Sequence, residues 1–430
     1  MGRNGAPRAI LQRPKRLPGL GAVLARFGLP MGKRFTRHNL ELLSQVHAAF
    51  SALRRSAAAI RGRGANIFTQ SVGDPDALGS AVMLRGILRQ LGAREVRILT
   101  GRLGHPQNRK MVERCGIVLQ DPNEGRLPRG LNCMVDASPP LGMANTGGVL
   151  PVKDYFFVAD HHADPEDVEA ACRAHGVRQV KLAFVGLSVG STSAFLAALG
   201  LAFGAWEELG PAGRAAVALG IYTDTSALLH GSTPLDFRMF EKLTRDEETL
   251  DVLDELRDYR VPIEWFGYRA SAVQHMESTG SLRVAPVGYV RGEHRDVIAE
   301  IASDILRLDG TSIGIAVAVT ERGTEVSVRA DGRLLGVDRG RIVRVIDYLL
   351  HDVFPGVSGF KYERRPPHRV EGGACVPLTE AQERLWRLGR PEAEKPADPL
   401  LERCRRIAHA MIAALEDYKQ KRPDDLQGLL

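Results

Sequence analysis

No stretch of the 430 residues approaches the roughly 18 to 20 consecutive apolar residues that a membrane-spanning helix needs, because Arg, Gly or Asp interrupts each run. The chain reads as soluble, with no membrane partner. Cysteine is sparse and unpaired: Cys115, Cys133, Cys172, Cys375 and Cys404 are an odd number, widely spaced, with no CxxC pair. That argues against a disulfide framework or a thiolate zinc site, and for reduced thiols in a cytoplasmic protein. Aromatic residues are only 6% of the chain, with three Trp, too few for a ladder of stacking platforms along a long single strand. No repeat recurs at a fixed period.

Acidic residues are missing from one place. Residues 1 to 37 contain nine basic residues (Arg3, Arg8, Arg13, Lys15, Arg16, Arg26, Lys33, Arg34, Arg37) and no Asp or Glu. Of 58 Lys and Arg, 49 therefore remain against 51 Asp and Glu, so the formal charge of +7 belongs to the leader and the body is near neutral. Such a leader reads as a flexible solvated tail, an arm that gathers polyanions or a targeting segment. The three stay open.

Beyond the leader, HNLELLSQVHAAFSALRRSAAAI has apolar residues at helical spacing. Short β-rich runs then alternate with helical stretches: ANIFTQSV, VRILT, LNCMVDAS, YFFVADHH and VKLAFVG, separated by segments such as SAVMLRGILRQLG and STSAFLAALGL. The alternation predicts an α/β domain, a mainly parallel sheet with helices on both faces, over residues 38–235. A charged helical connector is expected over 236–275. A second, smaller α/β domain follows over 276–385, with a hairpin at IGIAVAVT–ERG–TEVSVRAD. A C-terminal helix and tail occupy 386–430.

In open α/β sheets, ligands bind beyond the carboxyl ends of the strands. Four polar clusters fall there: Asp74 and Asp76, Asp136, Asp160 with His161 and His162, and Asp224. Each alone is ordinary, since Asp often caps a helix or forms a turn. Together they would crowd carboxylates at one edge, which is favourable only when cations neutralise them. Oxygen ligands with imidazole and no thiolate favour Mn²⁺, then Mg²⁺, over zinc. Two such ions about 3.5 to 4 Å apart would activate water for phosphoester hydrolysis. Gly79 would admit close backbone approach, and Ser80 would open a helix whose N–H groups face phosphate.

The ordered series GDPDALGSA, VDAS, ADHHAD, GSTSAFL and GIYTDT resembles the DHH phosphoesterase family. With the second domain the resemblance spans residues 60 to 385. It implies that Asp136 bridges two Mn²⁺ ions, that Asp74 binds one, and that Asp76, His161 and Asp224 complete the other. Asp160 would orient His161, and His162 would meet the substrate phosphate or the leaving oxygen. Oligoribonuclease-like and cyclic-dinucleotide-cleaving members carry a histidine four residues before the first Asp. Here that position is Gln70, a weaker ligand.

The second domain resembles the DHH-associated substrate-binding domain through HRVEGGA, with His368, Gly372 and Gly373. The family's glycine run before the histidine is replaced by ERRPP. Prolines remove backbone donors, so Arg365 and Arg369 would supply side-chain charge to a phosphate instead. The resemblance points to a metal-dependent phosphoesterase acting on short oligonucleotides or nucleotides in a cleft between the domains. A cyclic-dinucleotide phosphodiesterase, a RecJ-like exonuclease and a nucleotide-binding regulator with impaired turnover are the alternatives. A homodimer is left open.

Overall fold

The computed structural model describes residues 37–70, 73–101, 103–121, 128–139, 152–162, 165–229, 231–331, 339–355, 361–365, 369–376 and 398–422. The leader and His368 lie outside them. The chain forms two compact units, Met1–Arg260 and Val261–Leu430.

The first unit is built on a six-stranded, all-parallel sheet of order β3-β2-β1-β4-β5-β6. Its strands are β1 (Gly64–Phe68), β2 (Glu95–Leu99), β3 (Leu119–Gln120), β4 (Leu131–Val135), β5 (Asp154–Asp160) and β6 (Gln179–Val185). The central strands are buried almost throughout, which is why they read as continuous apolar runs without alternation. Helices α1 (Arg37–Arg55), α2 (Ala57–Ile60), α3 (Pro75–Gln90), α4 (Pro106–Arg114), α5 (Pro165–Ala174), α6 (Thr192–Phe203) and α7 (Trp206–Asp224) accompany the sheet. The anticipated strands and helices are present. The two-residue β3 has no sequence signature.

Two glycines set how closely α3 and α7 approach. A Cβ on Gly79 would stand 2.8 Å from the Ala216 carbonyl oxygen and 2.9 Å from Ser193 Oγ. One on Gly220 would stand 2.8 Å from the Pro75 carbonyl oxygen and 3.0 Å from Asp76 Cα. The absent side chains thus press the start of α3 against α7, whose last residue is Asp224. Gly79 serves helix packing. Ser80 lies inside α3, fully buried, its hydroxyl 3.3 Å from Ser193 Oγ. It does not open the helix, because Pro75 at the first turn and Asp74 as cap start it six residues earlier than the apolar run suggests.

The stretch read as a connector, 236–275, divides between the units. Helices α8 (Pro234–Leu243) and α9 (Glu247–Arg257) bury Leu243, Val252, Leu253 and Leu256 in the first core. Helix α10 (Ile263–Gln274) buries Trp265 and Ala272 in the second unit.

The second unit has a six-stranded sheet of order β11-β12-β10-β9-β8-β7. Its strands are β7 (Glu277–Thr279), β8 (Leu282–Tyr289), β9 (Ile313–Thr320), β10 (Gly323–Asp331), β11 (Lys361–Arg365) and β12 (Arg369–Val376). Only β8 and β9 pair in parallel, and β9–β10 is the anticipated hairpin. Helices α11 (Val297–Leu306), α12 (Arg339–Val353) and α13 (Pro399–Lys421) complete it. The C-terminal helix is part of this core, burying Cys404, Ala408, Met411, Leu415 and Tyr418.

Gly372 and Gly373 sit within β12, between β10 and β11, and not in a turn. The tight position is Gly373, where a Cβ would stand 2.5 Å from the Val326 carbonyl oxygen. Glycine there admits a neighbouring strand, so the expected phosphate contact has no support at these two residues. Arg365 and Arg369 occupy facing positions on β11 and β12.

Candidate metal centre

The anticipated acidic and imidazole residues converge at the carboxyl edge of the parallel sheet. Asp136 follows β4 directly and holds a left-handed backbone (φ 55°), an arrangement unfavourable for a residue with a Cβ. Its N–H donates to the Ala159 carbonyl at 2.9 Å, which ties it to β5. At the end of β5 come Asp160, His161 and His162. Asp224 arrives from the far end of α7.

His161 Nε2 lies 3.1 Å from Asp224 Oδ2, 3.5 Å from Asp136 Oδ1 and 3.9 Å from Asp76 Oδ2. Two groups of side chains have ligand atoms all within 4.8 Å of one another: Asp76, His161 and Asp224, and Asp136, His161 and His162. They share His161. Asp74 belongs to neither group. It caps α3, with Oδ1 accepting the Ala77 N–H at 2.9 Å and Oδ2 accepting from the Gln70 side-chain amide. Gln70 thus faces Asp74 directly.

Asp76 is held by the amino end of α6. Its Oδ2 accepts the Thr192 N–H at 2.7 Å and its Oδ1 the Ser193 N–H at 2.8 Å. The Thr192 hydroxyl donates to Asp136 Oδ1 at 3.0 Å. These residues stand in GSTSAFL but were not singled out there. Their signal is the N-cap pattern, a polar Ser-Thr-Ser before an apolar helical run, whose free N–H groups suit carboxylates.

Asp160 engages His162, not His161 as expected. Its Oδ1 lies 2.9 Å from His162 Nδ1 and accepts the His162 N–H at 3.0 Å, while its Oδ2 accepts the Ser138 hydroxyl at 2.6 Å. The reason is local: the turn after β5 folds the second histidine back over its own strand end. A carboxylate that fixes an imidazole in this way sets the ring's tautomer and orientation.

The electrostatics record the crowding. Burial foremost, then Asp76, Asp74 and Asp224, pushes Asp136 well above the usual carboxylate range. Burial, followed by Asp224, raises Asp76. Asp74 is pushed up to about 7, chiefly by burial and further by Asp224 and Asp76, against the Ala77 hydrogen bond. His161 moves the other way from an ordinary buried imidazole. Burial pulls it down, but Asp224, Asp76 and Asp160 carry it up to about 10. Asp160 alone is lowered, because its bonds to His162 and Ser138 outweigh its burial.

A site with this donor set could hold a divalent cation in place of protons. Asp136 Oδ2 is buried and has no hydrogen-bond partner among the described residues, the mark of an oxygen waiting for a cation. Carboxylate oxygens with imidazole nitrogen suit Mn²⁺ or Mg²⁺. The residues therefore fit the expected metal, and the geometry gathers Asp76, Asp136, His161, His162 and Asp224 more closely than Asp74.

No family model matches the chain. An uncharacterised protein of Methanocaldococcus jannaschii is 23% identical over 283 residues, covering 64% of this chain and 54% of its own. The match spans about half the length of that relative. An exopolyphosphatase-related protein of Bacteroides fragilis superposes with a TM-score of 0.58 and 14% identity, over 88% of this chain and 98% of its own. Exonuclease RecJ bound to manganese aligns over 89% of this chain and 96% of its own at 14% identity, with a TM-score of 0.32, too low to carry a structural argument. The chain thus has the two-unit α/β fold of the exopolyphosphatase-related protein. The resemblance to DHH phosphoesterases holds at the level of the fold.

Proposed function

We propose that the protein is a metal-dependent phosphoesterase of the DHH kind, hydrolysing phosphoester bonds of short oligonucleotides or nucleotides. One observation carries the reading: three carboxylates surround His161 Nε2 within 3.9 Å, beside the partnerless Asp136 Oδ2. Packing alone gives no reason to assemble that set at a sheet edge.

Asp76, Asp136, His161 and Asp224 would hold cations there, with Asp74 offering a further carboxylate. Divalent ions so held supply an acidic bound water and offset phosphate charge. The protein's part is orientation. Thr192 and Ser193 fix Asp76, and Thr192 also fixes Asp136. His162, oriented by Asp160 through Nδ1, would meet the substrate phosphate or the leaving oxygen. Donors fixed beforehand cost no reorganisation during the reaction.

The test is Mn²⁺-dependent hydrolysis of a labelled dinucleotide or bis(p-nitrophenyl) phosphate, with Asp136→Ala as control. Activity well above that control supports the reading. Activity equal to it, with Mn²⁺ still bound, favours a nucleotide-binding regulator. The Gln70–Asp74 contact is the observation behind that second reading, because it occupies a carboxylate oxygen that a second ion needs.

A further inference from the structure

The amino edge of the parallel sheet, opposite the metal centre, carries a row of cations. Arg94, Arg63 and Lys153 immediately precede β2, β1 and β5, Arg178 precedes β6, and Arg129 lies two residues before β4. Their alignment follows from strand register. Gly64 pairs with Glu95, Ala65 with Leu131, Cys133 with Phe157 and Asp154 with Gln179. Counting back along each pairing places Arg94, Arg63, Arg129, Lys153 and Arg178 side by side on five adjacent strands. Two backbone hydrogen bonds fix the ends of the row: Arg94 N–H to the Arg63 carbonyl at 2.9 Å, and Arg178 N–H to the Lys153 carbonyl at 2.7 Å.

All five residues are exposed. Arg178 bonds Asp154. Arg63, Arg94, Arg129 and Lys153 have no carboxylate partner among the described residues, so four adjacent cations repel one another at the edge. With strands about 4.8 Å apart, five positions span about 19 Å. Packing does not demand this, since the residues lie outside the core.

We infer that this row binds single-stranded nucleic acid along its phosphate backbone, away from the metal centre. The partner must be a polyanion, and its shape follows from the flanking charges. One residue further along the strands stand Glu95 and Asp154. Glu95 pairs with Arg97 and Asp154 with Arg178, so the uncompensated charge is confined to a single line of positions, which suits one phosphate backbone laid along it. The inference stands apart from the hydrolytic reading, because none of these residues approaches the metal centre. It gives longer strands a point of attachment on the first unit through charge and not stacking.

The experiment measures anisotropy of a fluorescein-labelled oligothymidylate, long enough to span the row, with the full chain in chelator. The chelator keeps metal-dependent binding and cleavage out of the readout. The four row cations should contribute about −2 to −3 to the log–log salt slope of wild type, near −0.7 for each phosphate neutralised. Replacing Arg63, Arg94, Arg129 and Lys153 together with Gln should weaken binding about tenfold or more at low salt and flatten the slope. The matching Lys variants at the three Arg positions should retain it. A control pair in the second unit, Arg291→Gln with Arg307→Gln, should change little, and a thermal melt checks the fold. No binding by wild type, equal binding by the Gln variant, or equal loss in the control pair overturns the proposal. So does row-dependent binding to phosphatidylserine vesicles without binding to the oligonucleotide. Failure here leaves hydrolysis of a small phosphodiester untouched, so the two readings fall separately.

Discussion

Thr192 holds two carboxylates at once: its hydroxyl donates to Asp136 Oδ1 at 3.0 Å and its N–H donates to Asp76 Oδ2 at 2.7 Å. The amino end of one helix therefore sets the spacing between residues separated by 60 positions in the chain. Thr192 is a positioning residue. Thr192→Ala should lower kcat about tenfold and raise the Mn²⁺ concentration for half activity, while Thr192→Ser keeps both near wild type. Direct Mn²⁺ titration separates this from general destabilisation. Equal Mn²⁺ affinity in the Ala variant would remove Thr192 from the site's support.

Gln70 offers a second test. Its amide donates to Asp74 Oδ2, and Ala77 takes Oδ1, so both oxygens of Asp74 are already engaged. Gln70→His supplies an imidazole nitrogen as a ligand and should lower the Mn²⁺ concentration for half activity severalfold. An unchanged value would place Gln70 outside the metal's reach.

The acid side of the pH dependence follows from Asp74. Its carboxyl is raised from 3.8 to about 7, burial first, so protons compete with Mn²⁺ as pH falls through that value. Apparent Mn²⁺ affinity should weaken below about pH 7. For the metal-free fold the sign is fixed. An acid whose folded pKa lies above its unfolded value destabilises the fold once ionised; the effect is absent below about pH 4, grows between, and is complete above about pH 7. Asp74→Asn keeps a good helix cap and removes the charge. Its melting temperature in chelator should exceed that of wild type at pH 8 and match it near pH 4. A gap independent of pH would contradict the assignment.

Gly79 distinguishes packing from phosphate binding. A methyl group there meets the Ala216 carbonyl at 2.8 Å, which is backbone and cannot swing aside. Gly79→Ala should cost about 1 to 3 kcal/mol in denaturant unfolding. A variant of wild-type stability with raised KM would restore the phosphate-contact reading.

Much of this was legible along the chain. The strand ends carrying Asp136 and His161, and the helix end carrying Asp224, announced themselves because apolar runs stop abruptly at charged residues. The partners of those residues did not. Thr192 reaches Asp136 across 56 positions and Ser193 reaches Asp76 across 117, and no spacing rule connects them. Asp160 was paired with the wrong histidine because the turn after β5 decides which imidazole folds back. Gly372 and Gly373 were assigned to substrate binding through a resemblance in HRVEGGA, whereas here they lie in a strand that pairs on both sides.

The most direct test is isothermal titration of the metal-stripped protein with Mn²⁺, alongside Asp136→Asn. The account predicts saturable binding, to two ions per chain if Asp74 contributes, and its loss or marked weakening in the variant, which keeps the side chain's shape but not its charge. No saturable binding in wild type, or identical titrations for both proteins, would contradict it.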